Sequence, residues 1–272
     1  MTSDHLVPLP DFKLGIQLYG LQDNFRKDMR GTLKALAGFG YQGIELIPPY
    51  ETAAESLAVN LHALGLEAIG FYAFKPLELL DPNHATYGQL RTLDIRHVSF
   101  GLPRKVNQNQ DWPEVIKEIR GLAEVISRQG LTLNYHNHEQ EFQCLQDHPA
   151  LALLAEQSDP AHVQFELDTH FALKAGADPC RWIKRFAGRM TRLHLKDLNA
   201  NDGSVAVIGD GILDVHAVVA EAVRGGIEWI VIEFHPGLAN PLEMARLCRE
   251  GVRKIWAEMN APKQEQQTGT IS

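Results

Sequence analysis

The sequence predicts a single (β/α)8 barrel, and three observations support this fold class. Eight short apolar runs recur along the chain, at residues 14–20, 43–47, 67–73, 97–101, 131–136, 163–168, 191–197 and 229–234. Segments with helical spacing of apolar residues separate these runs, and no Pro- or Ser-rich linker interrupts the alternation. Eight strand–helix units in roughly 250 residues are typical of this barrel.

Local signals support the individual elements. Met29, Leu33 and Leu36 share one face of the first long helical segment. Several segments end at a glycine that suits a left-handed helix end, namely Gly40, Gly65 and Gly130. Farther along the chain, Asp214 is expected to cap the helix that follows a Gly-Asp-Gly turn. We therefore expect one catalytic domain over residues 1–260 and a disordered polar tail over residues 261–272.

An open parallel sheet is the alternative fold. It would normally place three glycines in a phosphate-binding loop after the first strand, whereas the segment QLYGLQDN contains one. The barrel is therefore the favoured architecture.

Composition restricts the function. The formal net charge is -8 over 272 residues, and no basic run occurs, which argues against a nucleic-acid partner. The three cysteines lack a CxxC pair and are expected to be reduced thiols. The sequence shows neither a signal peptide nor an apolar stretch long enough to cross a bilayer, so we expect a cytoplasmic protein without a membrane partner.

Candidate functional residues are concentrated at the ends of the last four predicted strands, where barrels of this type carry their chemistry. They are His136, His138 and Glu141 after the fifth strand, Asp168 after the sixth, His194 and Lys196 on the seventh, and Glu233 and His235 after the eighth. Alternation along a strand places His194 and Lys196 on one face.

Four of these groups are expected to converge on one divalent metal ion. A histidine at a strand end is usually a hydrogen-bonded structural residue, so the prediction depends on the four strands together. The mixed nitrogen and oxygen donors suit Mn, Co, Zn or Fe better than Mg.

Six segments carry a resemblance to a known family: LGIQLYGLQDNFRKD, GYQGIEL, LTLNYHNHEQEF, FELDTHFALKAGADP, LHLKD and GDGILDVHAVV. Over about residues 13–255 they resemble the sugar phosphate isomerase/epimerase family, which are xylose isomerase-like TIM barrels. The resemblance implies one divalent metal ion held by His136, Asp168, His194 and Glu233. It also implies a possible homo-oligomer.

The fifth strand departs from the common family pattern. Many relatives have G-x-T-L-x-x-E-N-H there, whereas this chain has His136 in place of the glutamate. Either His136 or Glu141 is therefore expected to supply the first ligand. The YHNH sequence resembles the branch of inosose dehydratase-like and 3-keto-glycoside-processing proteins.

The resemblance implies a reaction that removes a proton from the carbon next to a carbonyl. A metal ion would stabilise the resulting enediolate, with Glu233 or His138 as the base. Lys196 would assist the developing oxyanion, and Glu141 would act as a general acid. Isomerisation, epimerisation and elimination remain open, and the substrate would be a small keto-sugar, polyol or keto-glycoside.

Further candidates, for substrate binding, are Gln17, Tyr19, Glu45, His170 and His235. A salt bridge inside the barrel is an equal alternative for Glu45. Tyr72 is assigned to packing.

Two other functions compete with the enzyme hypothesis. A DNA-repair nuclease resembling the AP endonucleases would need more metal ligands on strands two to four and a positive surface, and neither is evident. An inactive barrel that serves as a binding protein would differ from the enzyme in metal content and turnover.

Overall fold

The computed structural model describes residues 12–48, 53–102, 111–142, 144–145 and 148–261. Eight parallel strands close into a barrel, in which each strand pairs with its neighbours in the chain and the first pairs with the last. The strands are β1 (Lys13–Gln17), β2 (Gly43–Leu46), β3 (Glu67–Tyr72), β4 (His97–Phe100), β5 (Thr132–His136), β6 (Val163–Asp168), β7 (Arg192–Leu195) and β8 (Trp229–Ile232). The predicted (β/α)8 barrel is confirmed, and each strand overlaps one of the eight predicted runs.

Helices surround the barrel. Among the described residues they are α1 (Gln22–Lys27), α2 (Met29–Phe39), α3 (Ala54–Ala63), α4 (Ala85–Thr92), α5 (Trp112–Arg128), α6 (Ala150–Gln157), α7 (Thr169–Lys174), α8 (Pro179–Arg185), α9 (Val215–Arg224) and α10 (Pro241–Met259). Their buried faces are apolar, as on α5, where Val115, Ile119, Leu122 and Ile126 pack inward. This packing follows from the spacing of apolar residues in the sequence.

The predicted helix ends are present. Gly40, Gly65 and Gly130 have φ angles of 94°, 67° and 76°, which a residue with a Cβ atom adopts only with strain. The Asp214 carboxylate accepts a hydrogen bond from the Ala217 amide at 3.0 Å and caps α9. The predicted tail lies outside the described residues beyond Ala261, and the domain boundary stays a prediction.

The barrel interior changes character along its axis. Near the N-terminal ends of the strands, Ile69, Trp229 and Val231 form a small apolar cluster. Toward the C-terminal ends, the interior is filled by buried charged side chains on β2, β6, β7 and the segment after β8. These buried charged side chains therefore lie at the end of the barrel where the sequence places the candidate functional residues.

None of the helices in the described part of the chain is long and apolar enough to cross a membrane.

Gly43, the first residue of β2, allows a test of the packing near the N-terminal ends of the strands. A Cβ atom there would lie 2.5 Å from Trp229 Cζ3 and 2.6 Å from Ile69 Cγ2. We expect Gly43→Ala to lower the free energy of unfolding by about 1–3 kcal/mol, because the surrounding side chains must move. Urea denaturation measures the change.

Gly121→Ala is the matched control for this substitution. Gly121 lies inside α5, and a Cβ atom there would meet nothing within 4 Å. Alanine should stabilise that helix by roughly 0.5–1 kcal/mol. Equal effects of the two substitutions would contradict the packing described for Gly43.

Candidate active site

Four buried side chains meet at the C-terminal ends of consecutive strands. His136 ends β5, Asp168 ends β6, His194 lies on β7 and Glu233 follows β8. One potential ligand atom of each lies within 4.8 Å of those of the other three. The structure thus brings together the four residues that the sequence points to, and they are close enough to share one ion.

His194 is held between two carboxylates. Its Nδ1 atom lies 2.8 Å from Glu233 Oε2, and its Nε2 atom lies 2.7 Å from Glu45 Oε2. Burial lowers the pKa of His194, but the charges of Glu166 and Glu45 outweigh it and raise the pKa well above its usual value. The position of Glu45 fixes the imidazole so that Nδ1 faces the cluster.

Lys196 lies on the same face as His194, one residue beyond β7. Its ammonium group is 3.0 Å from Asp168 Oδ2 and 2.9 Å from Glu233 Oε1. Burial lowers the pKa of Lys196, yet the two carboxylates raise it further, so the net shift is upward. The side chain therefore carries a positive charge beside two of the four clustered groups.

A second layer of charge lies beneath the cluster. Arg192 is fully buried, and its guanidinium donates to Glu166 Oε1 at 2.8 Å, to Ser99 Oγ at 2.7 Å and to the Ile69 carbonyl at 2.6 Å. Glu45 Oε1 lies 3.7 Å from the same guanidinium. Neither Arg192 nor Glu166 is among the residues predicted from the sequence.

Glu45 belongs to this second layer. Its side chain has no exposed surface and accepts hydrogen bonds from Gln17 Nε2 at 2.9 Å and from Ser99 Oγ at 3.2 Å. A role in substrate binding does not fit this position, because the side chain lies below the cluster. The alternative of a salt bridge inside the barrel agrees with the structure.

The charges of the two layers do not balance among the described side chains. Four carboxylates, those of Glu45, Glu166, Asp168 and Glu233, face two fixed cations, Arg192 and Lys196. The His136 Nδ1 and Glu166 Oε2 atoms are buried without a hydrogen-bond partner in the described structure. A metal ion bound through His194 Nδ1 would displace the proton that the two carboxylates hold on this imidazole. Four carboxylates against Arg192 and Lys196 would then leave two excess negative charges, and together with the mixed N and O donors this fits a divalent cation.

Glu141 lies apart from the cluster. It is fully buried and accepts hydrogen bonds from Tyr135 Oη at 2.8 Å and from the His138 amide at 2.8 Å. Tyr135 precedes His136, and successive side chains point to opposite faces of a strand. Glu141 therefore sits on the outer face of β5, and neither the ligand role nor the general-acid role considered for it fits this position.

A small cavity opens above the four clustered residues. Its volume is about 80 Å³, and its walls are formed by Gln17, Tyr19, Ile47, Tyr72, Phe74, His136, His138, Phe171, Glu233 and His235. The candidates Gln17, Tyr19 and His235 line this space. His170 does not line it, because its Nδ1 atom lies 3.4 Å from the Asp197 carbonyl behind the wall.

His138 contributes a neutral imidazole to the cavity wall. Burial, and secondarily the charge of His136, lowers the pKa of His138 to about 3. Its Nδ1 atom is buried without a hydrogen-bond partner among the described residues and faces Gly101. Nε2 is therefore the nitrogen that a molecule in the cavity would meet.

The sequence matches a family model described as Xylose isomerase-like TIM barrel over residues 33–253. The chain belongs to this family. Its closed barrel agrees with that membership.

Individual relatives are more distant. Inosose dehydratase 2 of Bacillus cereus (strain ZK / E33L) is 23% identical over 267 residues, covering 81% of this chain and 86% of the relative. Among solved structures, a sugar phosphate isomerase/epimerase from Parabacteroides distasonis has a TM-score of 0.74 at 21% identity, covering 91% of this chain and 96% of its own. The IOLI protein, solved with a bound zinc atom, has a TM-score of 0.70 at 11% identity, covering 92% and 100%.

His97, at the start of β4 and thus at the opposite end of the barrel, predicts an acid-sensitive contribution to stability. Burial and the charge of Arg192 lower its pKa to about 3, and its Nδ1 atom lies 3.2 Å from Asn134 Nδ2. In the unfolded chain His97 takes up a proton near pH 6.5, whereas in the folded protein it does so only near pH 3. Stability from this residue is complete above pH 6.5 and falls as the pH decreases.

We expect His97→Gln to weaken this dependence. Between pH 7 and pH 5, the wild-type protein should lose about 2 kcal/mol more unfolding free energy than the variant. Urea denaturation in the presence of chelator measures the difference at both pH values. Parallel losses in the two proteins would show that His97 does not carry this pH dependence.

Proposed function

We propose that the protein is a divalent-metal-dependent enzyme that removes the proton next to the carbonyl of a small keto-polyol or keto-sugar. One observation carries the proposal: His136, Asp168, His194 and Glu233 meet beneath a cavity in a buried site where four carboxylates face two fixed cations. The inosose dehydratase and sugar phosphate isomerase/epimerase relatives support this substrate class.

The four clustered side chains would hold the ion. Glu45 Oε2 is hydrogen-bonded to His194 Nε2, so the Nδ1 atom, on the side of Glu233, would bind the ion. Such a partner for the second nitrogen is usual for metal-binding histidines and keeps the ring oriented. Two imidazoles and two carboxylates favour Mn, Co, Zn or Fe over Mg, and the zinc in the IOLI structure is consistent with this set.

A bound divalent ion would act as a Lewis acid on the carbonyl and an adjacent hydroxyl, stabilising an enediolate. The Lys196 ammonium would add positive charge near the same oxygen atoms. It is already fixed by Asp168 and Glu233, so it would not need to reorganise during the reaction. Lys196 is therefore assigned to oxyanion stabilisation.

Geometry favours His138 over Glu233 as the base. Both carboxylate oxygens of Glu233 are engaged, by His194 and by Lys196. Burial raises the pKa of Glu233, but the charge of Lys196 and the hydrogen bond of His194 lower it well below its usual range, and burial lowers the pKa of His138 to about 3. Basicity therefore favours neither group, and the assignment rests on the position of His138 Nε2, which is free among the described residues, on the cavity wall. His138 has a neutral imidazole on the cavity wall and would take the proton from carbon through Nε2.

The fate of the enediolate decides the reaction class. In an elimination, its electron pair would form a carbon–carbon double bond while the hydroxyl on the next carbon leaves, and the proton taken from carbon by the base would convert this hydroxyl to water. In an isomerisation or epimerisation, the proton returns to carbon instead. The name of the inosose dehydratase relative makes elimination the first outcome to test.

Metal binding gives a direct test of the site. We expect Mn, Co or Zn to raise the melting temperature of the chelator-treated protein with about one ion bound per chain, because the ion neutralises buried charge. Glu233→Gln should lower the metal affinity at least about tenfold, through the loss of a charged ligand. Isothermal titration and metal analysis measure both effects.

Glu141→Gln is the control for this substitution, since Glu141 lies outside the cluster. It should keep the wild-type stoichiometry and affinity for the metal. A protein that binds no divalent ion would contradict the proposed function. Loss of binding in the Glu141 variant alone would return the ligand role to Glu141.

Turnover gives the second test. Metal-loaded protein is incubated in D2O with 2-keto-myo-inositol, with a panel of ketoses and with a 3-keto-glucoside. We expect deuterium at the carbon next to the carbonyl, or a dehydrated product, and at least a roughly 100-fold lower rate for His138→Gln. Nuclear magnetic resonance detects both products.

A parallel incubation uses DNA that contains an abasic site. Cleavage of this DNA without turnover of the ketone panel would favour the nuclease alternative. Metal binding without turnover of any compound would favour the inactive binding protein.

A further inference from the structure

Tyr72 stands in the wall of the cavity, although its place in the sequence suggests a packing residue. It is the last residue of β3, and 8% of its surface is exposed. Its ring contacts the edge of the His136 ring with 5.4 Å between centroids, and it contacts Phe74 at the same distance. The side chain therefore lies against one of the clustered residues and faces the space where a substrate would sit.

The Tyr72 hydroxyl accepts a hydrogen bond, but its proton has no acceptor among the described residues. Its oxygen accepts a hydrogen bond from the Gly101 amide at 3.2 Å. Within the described residues, no acceptor lies in hydrogen-bonding range of the hydroxyl proton. A phenol can donate one hydrogen bond in addition to those it accepts, so its donor capacity remains for a molecule in the cavity.

The remaining cavity wall makes such a donor useful. Gln17 Nε2 donates to Glu45, Lys196 is engaged by two carboxylates, and His138 is needed as an acceptor of the substrate proton. A polyhydroxylated ketone brings several oxygen acceptors into the site. Burying one of these oxygen atoms without a hydrogen-bond donor would cost free energy. A hydrogen bond from the Tyr72 hydroxyl would avoid this cost.

We propose that the Tyr72 hydroxyl donates a hydrogen bond to an oxygen atom of the bound keto-polyol or keto-sugar and thereby positions the substrate. This inference rests on the proposed function. Tyr72 is assigned a binding and positioning role, and the proton transfer stays with His138.

Tyr72→Phe tests the inference on metal-loaded protein with the panel compound that the wild type turns over fastest. We expect kcat/KM to fall about 10- to 100-fold, mainly through a higher KM, because the hydrogen bond is present in both the ground state and the transition state. Metal affinity and stoichiometry should stay unchanged, since no ligand is altered.

Tyr87→Phe is the matched control. The Tyr87 hydroxyl is also buried, but it donates to the Leu79 carbonyl and does not line the cavity. This substitution should leave kcat and KM within about twofold of wild type. A Tyr72 variant that behaves like the Tyr87 variant would overturn the inference while leaving the proposed function intact. Absence of turnover by the wild type would overturn both.

Phenylalanine at position 72 also leaves the Gly101 amide without its acceptor, so a second measurement isolates the substrate contact. Deoxy analogues of the turned-over compound are compared as substrates of the wild type and of Tyr72→Phe. One analogue should lose about as much kcat/KM on the wild type as the substitution does, and it should then be nearly insensitive to the substitution. If the effects of every analogue and the substitution simply add, Tyr72 makes no contact with the substrate. If no deoxy analogue loses kcat/KM on the wild type, the inference is overturned whether or not the variant folds.

Discussion

The site depends on a buried arginine. Arg192 is fully buried in the barrel interior, and its guanidinium binds Glu166, Ser99 and a β3 carbonyl. Taking these charges out of water is costly, and the cost is offset only while all partners are in place. Because Glu45 and Glu166 are oriented by this layer and in turn face His194 and His136, the arginine determines the geometry of groups it does not touch.

Two side chains continue the hydrogen bonding between neighbouring strands beyond the strand ends, at the mouth of the barrel. The Asn137 amide bridges β5 and β6, accepting from the Asp168 amide at 3.0 Å and donating to the Asp168 carbonyl at 3.3 Å. Thr169 Oγ1 does the same between β6 and β7, donating to the Lys196 carbonyl at 2.7 Å and accepting from its amide at 2.9 Å. These bonds continue the strand pairing where the backbones begin to diverge, so the spacing of Asp168 and Lys196 is set by the fold.

Much of this arrangement follows from sequence, and the exceptions have physical causes. The eight strands, the glycine helix ends and the four clustered residues can be predicted because period-2 and period-3.6 patterns and strand-end positions are local signals. Alternation along a strand also places Glu166 with Asp168, and Arg192 with His194, on inward faces. The same rule could therefore have predicted that Glu166 and Arg192 lie in the barrel interior. The position of Glu141 was not, because a turn at Gln140–Phe142 redirects the chain after β5. The role proposed for the Tyr72 hydroxyl likewise depends on a contact that the sequence does not show, the hydrogen bond from the Gly101 amide just after β4.

The charge count explains why an imidazole suits the end of β5. Many members of the family that the chain resembles have a glutamate at the position of His136. With His194 neutral, as a metal ligand would be, a carboxylate there would raise the excess negative charge of the two layers from two to three, with Lys196 and Arg192 still fixed in place. With His136 the excess equals the charge of one divalent ion, so a loaded site would be neutral and buried at low cost. Lys196 between Asp168 and Glu233 and histidine at position 136 thus act in the same direction on this count: the lysine adds a positive charge, and the histidine adds a neutral nitrogen donor in place of a fifth carboxylate.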